Sequence, residues 1–403
     1  MITLTKGAGP AAFVSCTTCR VTYPPGLPRL TGQEVYPTCY IGSLKMPIHQ
    51  RVLVTGGAGF VGSSVALAIK RNHPQTHVTA FDNLHRRGSE LNLDRLREAE
   101  VAFAHGDIRS LADLTGLPEP PDLIVECSAE PSALAGYGGS PEYLIDTNLI
   151  GCYHCLELAR RVQADFVFIS TSRVYPYRRL NDLAYEEGPE RFHLCAEQTV
   201  AGASGLGVNE DFPLDGPRSL YGMTKLAGEL MVAEYADAYG IRYLIDRCGV
   251  LTGPWQMAKA DQGVIALWMA AHYFHRNLSY IGFDGSGRQV RDFLHVDDFC
   301  ELLLEQLGNF ETYQGRLFNV GGGLAFSLSL LETTRLCEEI TGNRLQIVPV
   351  SQTRPADVRI YLTDHRRLTA LNGWRPRRDA RATLADIFNW IQGAEAQVRY
   401  ALG

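Results

Sequence analysis

From residue 46 onward the chain alternates short, unbroken apolar runs with longer stretches in which apolar residues recur every three or four positions. The runs are Arg51-Val-Leu-Val54, Val78-Thr-Ala-Phe81, Val101-Ala-Phe-Ala104, Leu123-Ile-Val125, Phe166-Val-Phe-Ile169 and Tyr243-Leu-Ile245. Runs of this length without polar alternation predict strands buried on both faces, as in a parallel sheet. After the first run, Val61, Val65, Ala68 and Ile69 fall on one helical face. Further helices are expected around Pro141 to Val162 and Ser219 to Tyr239. This alternation predicts an α/β fold built on a doubly wound parallel sheet, whose ligands bind beyond the carboxyl ends of the strands. From about Thr252 short strands and helices mix, which predicts a smaller C-terminal mixed α/β unit. The expected division is 46–251 for the sheet domain, with 290–322 returning to it, and 252–289 with 323–403 for the smaller unit.

Two segments break the pattern. Residues 1–45 lack amphipathic periodicity, are rich in Gly, Pro and Thr, and are expected to form a disordered extension. They hold Cys16-Thr-Thr-Cys19 and Cys39, but a zinc knuckle needs a fourth ligand at its usual spacing and none is nearby, so no metal is expected. The stretch from Tyr175 to Gly216 is too long and too rich in Gly, Pro and acids for a simple connection. A lid and an oligomer contact are both open for it.

The first strand runs into Thr55-Gly56-Gly57-Ala58-Gly59-Phe60-Val61-Gly62, which opens the first helix. Glycines at this spacing let the backbone turn sharply and approach a pyrophosphate, which the N–H groups and positive end of the helix attract. Asp82 closes the second strand, where a Rossmann dinucleotide site carries its ribose-binding carboxylate. NAD is therefore expected over NADP, since Asp82 repels a 2′-phosphate. Tyr221 and Lys225 stand at i and i+4 on a predicted helix and share one face. A free tyrosine titrates near 10, and a neighbouring ammonium favours its phenolate. Behind a dinucleotide site the pair predicts proton transfer coupled to hydride transfer, with Thr171 orienting the substrate alcohol.

With these motifs the chain resembles the extended short-chain dehydrogenase/reductase family, the NAD-dependent nucleotide-sugar epimerases and dehydratases, from about Arg51 to about Gly393. The resemblance includes Asp107-Ile108, Asn148 and Arg291-Asp292-Phe-Leu-His295-Val-Asp-Asp298. The stretches Asp82 to Leu93, Asp261-Gln-Gly263, Gly287 to Asp292 and Ser327 to Glu332 are similar to those of the branch that inverts carbon 2 of a CDP-linked hexose. The resemblance implies Thr171, Tyr221 and Lys225 as catalytic residues. For the cofactor it implies Gly56, Gly59, Phe60, Val61 and Gly62 from the turn, together with Asp82, Asn83, Asp107 and Ile108. Ser128, Ala129 and Asn148 complete that set, with Tyr221 and Lys225. For the substrate it implies Glu130, Gln262, Arg291 and Arg354, the arginines gripping a diphosphate with their planar forks. It also implies a homodimer joined through the two long helices. Apolar residues on more than one face, such as Leu226, Leu230 and Met231, agree with a second partner.

Two departures narrow the chemistry. Sugar-nucleotide 4,6-dehydratases carry Asp-Glu after the catalytic threonine, whereas this chain has Ser172-Arg173. Arginine cannot serve as that acid or base, so dehydration is not expected. Many relatives also hold the diphosphate with an asparagine three residues after the arginine matching Arg247; here Val250 stands there. The expected activity is a CDP-hexose 2-epimerase. A UDP- or CDP-hexose 4-epimerase using the same residues is the alternative. A non-catalytic nucleotide sensor with this fold is the rival class, and its mark would be loss of Tyr221 or Lys225. In 403 residues the net charge is −6, no basic stripe suggests nucleic acid, and no apolar run approaches membrane-spanning length. The ten cysteines are scattered, as reduced thiols of a cytoplasmic protein would be.

Overall fold

The computed structural model describes residues 49–257 and 263–402. The extension at 1–45 and Gln262 lie outside the described residues. Seven strands form one parallel sheet: β1 (Arg51–Thr55), β2 (His77–Asp82), β3 (Ala102–His105), β4 (Leu123–Glu126), β5 (Asp165–Thr171), β6 (Tyr243–Cys248) and β7 (Arg316–Val320). Their order is β7-β6-β5-β4-β1-β2-β3. The chain winds outward from β1 to β3, then crosses back and winds the other way from β4. The cleft between β1 and β4 is therefore the switch point at which such sheets bind ligands. Register brings Thr55 opposite both Phe81 and Glu126, so strand ends carrying Gly56, Asp82 and Glu126 gather at one edge.

Burial explains the apolar runs. Every residue of β4 and β5 is buried, while the edge strand β3 alternates half-buried with exposed positions. The helix Phe60–Asn72 packs beside Val296–Gly308 on one face, and Val65, Leu302 and Leu303 share a core there. On the other face Cys155, Leu156 and Val232 from helices Gly151–Val162 and Leu220–Tyr239 meet Phe166 and Phe168. The helical run expected from Pro141 is not uniform: a π-helical turn, Asp146–Ile150, joins Glu142–Ile145 to Gly151–Val162. Such turns let one residue bulge where a regular helix would bury it differently. Leu220–Tyr239 begins where Ser219 Oγ accepts the Gly222 N–H at 3.1 Å and ends at Gly240 in the left-handed region.

Smaller sheets follow. Val250–Thr252, Val290–His295, Ser327–Ser329 and Ile360–Tyr361 form one, with parallel and antiparallel pairs; Leu278–Ile281 pairs with Ile347–Val350. Helices Val264–Phe274, Leu330–Thr341 and Ala380–Gly393 share a core of Met269, Cys337, Leu384 and Ile391. The irregular stretch after Tyr175 forms a short helix, Tyr177–Asn181, and two small hairpins. Tyr175, Leu180 and Phe212 from it pack on Val358 and Tyr361.

A buried polar cluster bolts the helix of Tyr221 and Lys225 to the sheet. Arg247 on β6 meets Glu229 on that helix with Nε and Nη2 donating to both carboxylate oxygens at 2.7–3.2 Å. Ser170 Oγ donates to Glu229 at 2.5 Å, Arg247 Nη1 donates to the Tyr175 hydroxyl at 3.2 Å, and that hydroxyl donates to Asn319 at 2.7 Å. Replacing Arg247 by methionine leaves the Glu229 carboxylate buried without its cation. Breaking a buried pair this way costs about 3–5 kcal/mol. Urea unfolding of the Arg247→Met protein is expected to show a loss of that size, whereas Arg161→Met, whose guanidinium is half exposed, is expected to change little.

Candidate active site

The turn after β1 is tight for steric reasons. Gly56 has φ +61°, and a Cβ there would stand 2.9 Å from the Ser128 Cα. A Cβ on Gly62 would stand 2.1 Å from the Gly56 carbonyl oxygen, so the first helical turn lies directly on the loop. Gly59, the N-cap, offers no side chain to the N–H groups of the first turn. Phe60, Val61 and Gly62 line a cavity of about 240 Å³, and their N–H groups face an acceptor from outside the helix. Asp82 closes the far side. Its carboxylate accepts N–H bonds from Ala58 at 3.1 Å and Leu84 at 2.7 Å. Burial pushes its pKa up, and these backbone donors, with Gly59, pull against that.

Most of the residues expected at the cofactor come together here. Gly56, Gly59, Asp82, Asn83 and Ile108 line the cavity, as do Ser128 and Ala129. Glu130, expected at the substrate, lines this same cavity. Asp107 stands off it, bonded by Arg109 and by Asn83 Nδ2 at 2.9 Å. Burial raises its pKa, but those donors outweigh burial and hold it at about 2. Asn148, in the π turn, is buried behind the wall: its amide accepts the Glu130 N–H at 2.8 Å and donates to the Glu130 carbonyl and to Thr224 Oγ1. It fixes the loop after β4 against the helix of Lys225. Tyr143, His85, Trp255, Gln256 and Met257 also form the wall and were not singled out in the sequence. His85 stacks on Tyr143 at 4.3 Å, a contact with no local spacing signal.

A second cavity, of about 520 Å³, shares Phe60, Val61, Cys127 and Gln256 with the first. Thr171, Ser172, Arg173, Tyr221 and Lys225 line it. Burial raises the Tyr221 phenol pKa above the free-tyrosine value, and Lys225, the Thr171 side chain and Arg173 pull against it without cancelling it. Lys225 Nζ donates to Glu126 Oε2 at 3.1 Å and lies 4.4 Å over the Phe168 ring. Burial disfavours the ammonium, but Glu126, the largest of the opposing groups, together with Tyr221 and Cys152, outweighs it, so the lysine pKa is raised. Glu126 was missed in the sequence, where it reads as the end of a strand. Arg291 and Arg354 stand on the wall with Val250. Arg291 is already engaged: Nη2 donates to Asp357 at 2.8 Å and to the Val358 carbonyl at 2.6 Å, and Nη1 to the Val290 carbonyl at 2.8 Å. Burial lowers its pKa to about 10.

A glycine cradle under helix N–H groups, with a carboxylate across from it and a Tyr–Thr–Lys cluster at the adjoining cavity, defines a Rossmann oxidoreductase of the Tyr-Lys type. The cradle and Asp82 fit NAD. Comparison with known proteins names the group: the chain belongs to the NAD dependent epimerase/dehydratase family, whose model matches residues 52–321. It is similar to CDP-paratose 2-epimerase of Salmonella typhi, with 30% identity over 350 residues covering 84% of this chain and 98% of the relative. It is also similar to dTDP-glucose 4,6-dehydratase of an Actinoplanes species, with 27% identity over 352 residues covering 85% and 98%. Among solved structures, the Thermus thermophilus UDP-glucose 4-epimerase in complex with NAD matches with a TM-score of 0.68 and 25% identity, covering 85% of this chain and 99% of that one. The protein is thus an NAD-dependent enzyme of the nucleotide-sugar epimerase/dehydratase group. No helix among the described residues is long and apolar enough to cross a membrane.

Chromatography of nucleotide released by denaturation is expected to show NAD(H). Asp82→Asn removes the charge that ribose hydroxyls meet, and hydrogen bonds to charged groups contribute about 1.5–3 kcal/mol. Calorimetric NAD affinity is expected to fall by about 10- to 100-fold.

Proposed function

We propose that this enzyme epimerises a CDP-linked hexose or deoxyhexose, of the CDP-paratose/CDP-tyvelose kind, at carbon 2 through transient oxidation to a ketone. The observation that carries epimerisation over dehydration is the wall beside Tyr221. Ser172 and Arg173 stand there. The one carboxylate among the described residues lining the cavity, Asp357, is paired with Arg291. Loss of water needs an acid for the leaving hydroxyl and a base for a carbon-bound proton, and a guanidinium provides neither. The CDP-linked substrate and carbon 2 are supported by the similarity to the Salmonella typhi relative.

In this reading the cofactor, seated on the glycine turn and Asp82, supplies a reversible hydride acceptor. Tyr221 takes the proton of the carbon-2 hydroxyl, Thr171 bonds the same oxygen, and the Lys225 ammonium favours the phenolate. Arg354 holds the diphosphate while the keto sugar turns within the cavity, and Arg291, whose fork is engaged by Asp357 and backbone carbonyls, adds its charge to the same wall. Tyr221 then returns its proton to the other epimer. Proton NMR of the protein incubated with CDP- and UDP-hexoses is expected to show inversion at carbon 2 of the CDP-sugar; inversion at carbon 4 alone would reject the reading. Tyr221→Phe keeps the ring and removes the oxygen, so turnover is expected to drop about 10²- to 10⁴-fold with NAD still bound.

We also propose a C₂ homodimer through the two long helices. Of the three apolar positions that prompted it, Met231 packs in the sheet core and Leu226 packs against the Tyr175 cluster, so both are satisfied within the fold. Leu230 is 62% exposed, and Ile150, Tyr153 and Tyr239 are exposed on the same pair of helices or at their ends. Exposed apolar residues on neighbouring helices, Leu230 on one and Ile150 and Tyr153 at the start of the other, suit an isologous contact. Light scattering after gel filtration is expected to give a dimer mass at micromolar concentration, and Leu230→Glu a shift toward monomer.

A further inference from the structure

The Lys225 ammonium is buried beside a single carboxylate, that of Glu126, whose own pKa burial raises while Lys225 and the Ser128 N–H pull it down. Its side chain is 3% exposed and that of Glu126 is 1% exposed, with Nζ and Oε2 3.1 Å apart. The other groups facing it come from every neighbouring element. Tyr221 stands on its own helix, Cys127 follows β4, Cys152 and Cys155 lie on Gly151–Val162, Cys248 ends β6, and Phe168 of β5 turns its ring face to the ammonium. Burial raises all four thiols, so they are neutral at neutral pH and give no countercharge. A buried lysine without a counter-ion sheds its proton. A neutral amine would leave a Tyr221 phenolate without its cation, and Lys225 is the charge that Tyr221 feels most, ahead of Arg173.

We propose that Glu126 is a positioning residue of the active site: its carboxylate keeps Lys225 an ammonium beside Tyr221 and occupies one of its three N–H bonds, leaving two for the bound ligand. This rests on the reading of Tyr221 and Lys225 as the catalytic pair. Glu126 touches neither cofactor nor substrate in this assignment, since it lines neither cavity; it acts through Lys225. Removing its charge lets burial neutralise the lysine, so Tyr221 becomes harder to ionise and its titration moves to higher pH.

The test needs no substrate. Phenolate absorbance near ~295 nm is followed against pH in the NAD-loaded protein, with Tyr221→Phe as the blank that isolates this one of the tyrosines, whose free pKa is about 10. Glu126→Gln is expected to raise the Tyr221 midpoint by about one unit or more, and Glu126→Asp to recover most of that shift. A folded, NAD-bearing Glu126→Gln protein whose midpoint stays or falls overturns the proposal. If the Tyr221 midpoint does not rise in Lys225→Met, the lysine does not bias the phenol, and the catalytic reading itself fails and takes this inference with it. A second arm serves if Glu126→Gln does not fold. Lys225→Met strands the Glu126 carboxylate, so adding Glu126→Gln to it is expected to raise the melting temperature; a double variant melting no higher than Lys225→Met overturns the pairing.

Discussion

The buried pairing of Arg247 with Glu229 is the contact on which the catalytic geometry depends. Both side chains are 5% exposed, and the bidentate fork fixes the helix Leu220–Tyr239 in rotation and height against β6. Glu229 sits one helical turn beyond Lys225 and two beyond Tyr221, so all three share a face. Fixing Glu229 therefore sets where the phenol and the ammonium emerge relative to Thr171 at the end of β5. Ser170, one residue before Thr171, bonds the same carboxylate. The strand that carries Thr171 and the helix that carries Tyr221 and Lys225 are thus tied to one group. The central strands β4 and β5, buried along their whole length, stiffen that frame.

Charge is divided between the two cavities. The first cavity carries Asp82, Glu130 and Arg86, with Asp107 just behind it. The second carries Arg173, Lys225, Arg291 and Arg354 against Asp357. Glu126, the partner of Lys225, lines neither. A positive wall suits a diphosphate and favours the ionised form of Tyr221. In the proposed reading proton transfer falls to Tyr221, with Thr171 to orient, which suits oxidation and re-reduction at one carbon, whereas elimination needs a second proton donor.

The sequence by itself determined the parts whose physics is local. A parallel strand covered on both faces is mostly apolar, so six of the seven strands were legible as short runs, their ends shifted by a residue or a few. The glycine turn was legible because only glycine fits at Gly56 and Gly62, and the Tyr221/Lys225 pair because four residues make one turn of helix. Asp82 was legible from its place after the second strand. The tertiary structure alone decided the rest, because burial and partnership are set by residues far apart in the chain. Glu126 is 99 positions from Lys225, and nothing in Leu123-Ile-Val-Glu126 distinguishes a carboxylate buried beneath an ammonium from one that ends a strand in solvent. Arg291 carries the family's motif, yet only the fold shows its fork already engaged by Asp357 and backbone carbonyls. Asn148 lies in a π turn that no periodicity announces, and its amide meets Glu130 and Thr224 rather than the cavity. Periodicity reports which face of an element is covered; which charged group covers it follows only from the packing of the whole chain.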